Sequence, residues 1–246
     1  MSSVHGRLRT GLAVPALFVL GAVVTCLALG SWQVQRKAWK EALITSLRQR
    51  LAAAPAVLPS RERWPELDPA RDEFCRVTTS LTFIPGADAL VYAGAAFARE
   101  DWGGAGYWIF SLARIARGGM VVVNRGAVPE NRKNFSTATG EGTTDITGVM
   151  RWPERRGMFT PKGDPTRNLW FLRDHLAIAA AKGWGEVAPF FIEMESPQPS
   201  GGLPAPVHTT AELRNEHLQY AITWYALAGV LVVLFGFWLK SRAAPP

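Results

Sequence analysis

Apolar residues are concentrated in two stretches near the ends of this 246-residue chain. Leu12 to Leu29 runs for 18 positions without a charged residue, and Ala221 to Leu239 for 19. At ~1.5 Å rise per residue each would form a helix roughly 27 to 29 Å long, close to the ~30 Å of a hydrocarbon core. Inside lipid a helix satisfies its own backbone hydrogen bonds, so the pattern predicts helix for both. Trp224 and Tyr225 near one end of the second stretch, and Trp238 and Lys240 near the other, have the character of interfacial anchors. The first stretch competes with a cleaved signal peptide, in which Arg7 and Arg9 form the basic end and Ala28 and Gly30 the small-residue site. Its apolar run is longer than the usual core of such a peptide, and helix formers follow it at once. A buried core helix is the competing reading of the second stretch.

Between the two lies a long polar segment with its own apolar pattern. Gln33 to Arg50 continues with helix formers, so the first helix is predicted to project beyond the membrane. Ala52 to Pro69, rich in Ala and Pro, reads as a linker. Runs rich in β-branched and aromatic residues follow: Phe74 to Ile84, Ala89 to Ala98, Tyr107 to Ile115, Gly119 to Val128, Asp145 to Trp152 and Val187 to Glu195. Gly103-Gly104-Ala105-Gly106 is a turn signal, not a dinucleotide fingerprint, since no long helix follows it. Leu169 to Lys182 has helical spacing, and Ser196 to Pro206 is a Pro/Gly loop. Successive strands joined by short turns predict a mainly antiparallel sheet or partial barrel. The predicted class is an α+β membrane protein, with two transmembrane helices flanking a mainly antiparallel β soluble domain that carries one or two helices. The expected division is a terminus at 1–11, a span at 12–32, the domain at 33–220, a span at 221–239 and a second terminus at 240–246.

Charge adds less. The net charge is +7, from 27 Lys and Arg against 20 Asp and Glu. Four of the basic residues (Arg7, Arg9, Lys240, Arg242) and none of the acidic ones lie in the termini. That favours cytoplasmic termini, but Arg36, Lys37, Lys40, Arg48 and Arg50 follow the first span closely and weaken the argument. The 11 residues before the first span are too few for an amphipathic transit peptide, so a bacterial inner membrane is expected. Cys26 falls in the first span and Cys75 in the domain, which excludes a disulfide scaffold. No basic stripe interleaves with aromatics, so nucleic acid is not an expected partner.

Known catalytic patterns are missing. The four histidines (His5, His175, His208, His217) form no HExxH, and there is no Cys-x-x-Cys, P-loop or Gly-x-Ser-x-Gly. Two boundary segments remain. On a helix His217, Tyr220 and Trp224 stand at i, i+3 and i+7, which puts an imidazole beside two aromatic rings at the membrane surface. Such an imidazole can ligate a haem iron while the rings pack on the macrocycle, or it can be the solvated member of an aromatic belt. Trp32, Arg36 and Trp39 stand at i, i+4 and i+7 on the first helix. Arg36 can stack on the indoles, pair with a carboxylate such as a haem propionate, or act as a plain anchor. Asn124-Arg125-Gly126 reads as a turn or bulge in which Arg125 meets a partner or solvent, and Arg155-Arg156 as a solvated basic cluster.

Four segments resemble the surfeit-locus family of cytochrome c oxidase assembly factors: LGSWQVQRKAWK at 29–40, VVVNRGAVP at 121–129, PTRNLWFLRDHLAIAAAKG at 165–183 and RNEHLQYAITWYALA at 214–228. With both spans the resemblance covers nearly the whole chain, apart from 41–73. It implies a bacterial or mitochondrial inner membrane, with the soluble domain in the periplasm or intermembrane space; for the bacterial inner membrane expected here, the domain at 33–220 is periplasmic and both termini, 1–11 and 240–246, are cytoplasmic. It implies partnership with membrane lipid, with the oxidase catalytic subunit and with haem a synthesis and assembly proteins. Some bacterial members bind haem a, with the histidine of the last motif as the proposed contact; here that residue is His217. Some relatives carry a histidine after the Gly-Tyr that precedes the Asn-Arg-Gly strand, where this chain has Trp108. The resemblance thus implies a role in oxidase assembly, as a haem a binding and delivery factor with His217 as the contact; the spacing adds Tyr220, Trp224 and Arg36 as candidate haem-binding residues, and the missing catalytic patterns make an enzyme unexpected. The alternative is a haem-free membrane scaffold that stabilises an assembly intermediate. A membrane-anchored enzyme lacks a visible nucleophile and base pair.

Overall fold

The computed structural model describes residues 3–94, 105–132, 142–199, 201–206 and 215–243. Of the features read from the sequence, Gly103, Gly104, residues 95–98, His208 and Arg214 lie outside them. The chain divides into two compact units, Met1–Ser46 with Glu212–Pro246, and Leu47–Ala211.

The first unit holds most of helix α1 (Ser3–Ala52) and, after the β unit in the chain, α4 (His217–Ala243). Leu12–Ala52 and His217–Arg242 are long and apolar enough to cross a membrane. Their apolar side chains are largely exposed: Phe18 is 77% exposed and Phe237 67%. A water-soluble protein would bury such residues, whereas a bilayer solvates them. As expected from its helix formers, α1 runs on unbroken past Gln33. Covered positions recur on α4 at His217, Ala221, Trp224, Ala228, Leu231, Phe235 and Trp238, and on α1 at Val23, Cys26, Gly30, Gln33, Lys37 and Lys40. This alternation of three and four residues is the period of a left-handed helix pair. Small residues let the backbones approach: a Cβ on Gly30 would lie 2.8 Å from the Tyr225 ring, whose hydroxyl is 3.1 Å from Ser31 Oγ.

The second unit is a barrel. Strands β2 (Arg76–Gly94), β3 (Gly106–Ile115), β4 (Met120–Pro129), β7 (Phe191–Ser196) and β5 (Thr144–Arg151) hydrogen-bond in that order, and β5 closes back on β2. Every pair in the ring is antiparallel except β4–β7. Short strands β1 (Ala56–Val57) and β6 (Leu169–Trp170) add to β2 in parallel. The two sequence runs Phe74–Ile84 and Ala89–Ala98 meet in one strand, β2. Its register against β3 shifts between Phe83 and Asp88, where Gly86 adopts φ 73°. This bend lets the first half of β2 pair with β5 and the second half with β6, and the sheet closes without leaving a long open edge.

Alternation sorts the apolar residues into two layers. Val77, Leu81, Ile115, Val121, Val123, Ile146 and Ile192 fill the barrel. Val91, Phe110, Val122 and Phe191 face outward under Ile178 of helix α3 (His175–Lys182). Two expectations need correction. The stretch read as a linker, 52–69, belongs to the domain: Trp64, in a 3₁₀ turn at Arg61–Glu66, is 6% exposed and packs edge-on against Phe190 at 5.8 Å. Alanine and proline content marked the irregular backbone but not the indole that fills the barrel. The helix expected over 169–182 begins only at His175, because Asp174 caps it by accepting from Ala177 N–H at 3.0 Å, while Leu169 and Trp170 are drawn into pairing with β2. A further helix, α2, is a single turn at Pro69–Asp72.

A chain of charges staples the outer layer. Glu193, 1% exposed, accepts from Arg173 Nη1 at 2.7 Å and from Arg151 Nη1 at 3.2 Å. Arg151 also reaches Glu73 at 3.2 Å, and Arg173 reaches Glu154 at 2.7 Å. Burial pushes the Glu154 carboxyl up, but the charge and hydrogen bonds of Arg173, with a smaller effect of Arg151, outweigh it and hold it below the usual carboxylate range.

Candidate functional site

His217 opens α4, and its Nδ1 lies 2.7 Å from Gln33 Oε1 on α1. An amide oxygen only accepts, so Nδ1 is the donor, and in the imidazole tautomer that donates there Nε2 carries the lone pair. A fixed tautomer with the second nitrogen held by a neighbour is the usual condition of a ligating imidazole. Gln33, Lys40, Glu216, His217 and Tyr220 line an open cleft of about 290 Å³. Small-molecule pockets usually enclose ~300–1,000 Å³, so this cleft takes the edge of a large ligand and leaves the rest outside it.

The helix surface separates the residues singled out in the sequence. Tyr220 borders the cleft and is 53% exposed. Trp224 is half-buried one turn further along. Arg36 does not line the cleft: it is exposed, with its guanidinium 4.0 Å from the ring centre of Trp39. The stacking expected for Arg36 therefore forms with Trp39, and the cation beside His217 is Lys40. Sequence reasoning missed Gln33 and Lys40. Both lie seven residues apart on the covered face of α1, a spacing that could have singled them out.

The donor set bears on a haem. Among the described residues no three His, Cys, Asp or Glu side chains converge as a metal site. A single positioned imidazole can hold a metal centre that carries its other ligands with it, as a haem does. Lys40 brings positive charge to the cleft wall, and Tyr220 an exposed ring. The residues present fit such a group, with His217 as the one that would hold it.

In the β unit, Trp108 is half-buried and stacks with Arg173 at 4.8 Å. Arg125 lies in β4 at the shift in register with β3, beside Gly126 at φ 126°. The bulge expected there is present, but the side chain is not left to solvent. Its guanidinium is 4.8 Å from the Phe83 ring, and Nε and Nη1 are buried without a hydrogen-bond partner. Burial pushes its pKa below the ordinary arginine value, and Asp88 only partly restores it. His175 is fully buried, with Nε2 2.9 Å from Ala188 O and Nδ1 unpartnered, and burial pulls its pKa down to about 4. It is a structural histidine, since no ligand could reach it.

Two membrane-length helices with a histidine at one helix start, and a small β-barrel between them in the chain, define a protein of the anchored, barrel-bearing kind. The comparison of sequences gives the family: this chain belongs to the SURF1 family, whose model matches residues 20–229. It is 34% identical over 229 residues to the Surfeit locus protein 1 of Homo sapiens, covering 89% of this chain and 74% of that one. It is 32% identical over 246 residues to a SURF1-like protein of Monosiga brevicollis, covering 93% and 91% respectively. A SURF1-like protein of Drosophila melanogaster is 32% identical over 237 residues, covering 89% and 75%.

Proposed function

We propose that this protein is a membrane-anchored, non-enzymatic assembly factor of cytochrome c oxidase that holds haem a and passes it to the oxidase catalytic subunit. Membership of the SURF1 family supports the assembly role. One observation carries the finer reading: the 2.7 Å contact that fixes His217 with Nε2 available. Haem a would bring its iron already held by the macrocycle, and His217 would be the residue that holds the iron. In this reading Gln33 fixes the imidazole tautomer, Lys40 pairs with a propionate, and Tyr220 and Trp224 cover part of the ring. Arg36, stacked on Trp39, anchors α1 at the membrane surface and is a secondary propionate partner. A single imidazole contact in an open cleft suits a carrier, because the cargo would leave without the fold having to open. The membrane is a bacterial inner membrane, with the β unit in the periplasm.

The test is the reduced-minus-oxidised visible spectrum of the protein purified in mild detergent from cells that make haem a. The expected result is a stoichiometric haem a band that is lost or shifted in His217→Ala and weakened in Gln33→Leu. A band indifferent to both substitutions would remove His217 from haem binding. A colourless protein would replace the carrier by a haem-free scaffold of the assembly intermediate.

A further inference from the structure

The loop between β5 and β6 carries the most exposed large apolar side chains among the described residues. Met158 and Phe159 are each 92% exposed, more than any large apolar side chain described on the two membrane-length helices, where Phe18 reaches 77%. A single exposed apolar residue is ordinary, but two adjacent ones on a built turn are not. Thr160 N–H donates to Gly157 O at 3.2 Å, and Gly157 N–H donates to Thr160 Oγ1 at 3.0 Å. Arg156 closes the base by donating through Nη2 to Thr160 O at 3.3 Å and Pro161 O at 2.8 Å. Met158 and Phe159 therefore occupy the two corner positions of a hydrogen-bonded turn and point away from the barrel.

The collar of this tip is cationic. Arg155, Arg156 and Lys162 are all exposed, and no acidic residue lies between Arg155 and Gly163. The flanking acids are occupied: Glu154 is taken by Arg173, and Asp164 accepts from Thr166 N–H and Arg167 N–H. We infer that the turn Gly157–Thr160 is a lipid-inserting tip, with Met158 and Phe159 entering the surface of a bilayer while Arg155, Arg156 and Lys162 hold anionic headgroups. The chemistry matches in both parts, since apolar corners partition into the acyl boundary and cations gain from the negative surface potential. A protein occupant would need an apolar socket ringed by acids. A bilayer offers both features everywhere, and the chain's own membrane-length helices keep one at high local concentration.

The experiment uses the full chain with Met158→Cys as its labelling site and Cys26 and Cys75 replaced by serine. An environment-sensitive fluorophore is attached and the protein is reconstituted in lipid discs, either of phosphatidylcholine alone or with phosphatidylglycerol. In the anionic discs the emission should shift to the blue, and a lipid-borne nitroxide should quench the label several-fold more than a water-soluble quencher does. Arg155→Glu with Lys162→Glu should reverse that ratio; Arg156 is kept because it closes the turn. Equal access of the aqueous quencher in both lipids overturns the proposal, as does lipid quenching indifferent to headgroup charge. Protection that appears only with two copies per disc, or only on adding an oxidase subunit, overturns it in favour of a protein occupant. An unchanged near-ultraviolet circular dichroism spectrum shows that each variant is folded.

Discussion

His175 makes the barrel sensitive to mild acid, by an amount that follows from its surroundings. The imidazole is fully buried at the start of α3, 5.4 Å from the Phe191 ring, and donates through Nε2 to Ala188 O. Its Nδ1 has no partner, so a second proton would sit as a buried charge facing nothing that accepts it. Burial lowers the pKa from 6.5 to about 4. The folded value is below the unfolded one, so the stabilising contribution is complete above about pH 6.5 and is lost as the pH falls from there towards 4. At ~1.36 kcal/mol per pKa unit the whole displacement is worth about 3 kcal/mol, of which about 2 kcal/mol is lost between pH 7 and 5. For a unit of this size that lowers the midpoint of thermal unfolding by roughly 4 to 8 °C. The assay is thermal unfolding in mild detergent, followed by the fluorescence of the packed tryptophans at pH 7, 6 and 5. In His175→Gln, which keeps an amide donor for Ala188 O but does not titrate, the midpoint should be nearly flat over that range. The same slope in both proteins, or no slope in the wild type, would refute the assignment.

Arg173→Met removes one guanidinium partner from buried Glu193 and the main partner from Glu154; because Arg151 stays, the cost should be about 3 kcal/mol, at the low end for a broken buried pair, read from the urea midpoint. The same variant should raise the Glu154 pKa. Its contribution to stability, present above the ordinary carboxylate value of about 4.3 and lost as pH falls through the depressed folded value, should then disappear from the acid limb of a stability–pH curve. Gly126→Ala should cost about 3 kcal/mol or more, because φ 126° is strained for any side chain and the new Cβ would press into Ala205 O, where β4 is bridged at 2.7 and 2.8 Å. Arg125→Met should raise stability by about 1 kcal/mol, since it keeps the contact with Phe83 and removes a largely desolvated charge whose Nε and Nη1 lack hydrogen bonds and which Asp88 only partly offsets; a loss in the urea midpoint instead would show that the guanidinium is answered by a ligand or partner.

The elements legible in the sequence are those set by local period. A run of 18 or 19 residues without charge can only be solvated by apolar surroundings, so both long helices were readable from composition alone. Alternation gave the strands and the mainly antiparallel class, because a half-buried strand shows its two faces within a few residues. His217, Tyr220 and Trp224 could be read onto one helix for the same reason, but not which of them borders the cleft. What tertiary structure decided is every pairing across long separations. Closure of β5 onto β2, burial of Trp64, and the two arginines on Glu193 join residues between about 20 and 126 apart, and no local pattern records which partner a lone charge or indole will find. Rotation of α1 was equally open. It turned Gln33 and Lys40 to His217 and left Arg36 on Trp39, because the covered face of a helix is selected by what packs against it and not by the charge of its residues.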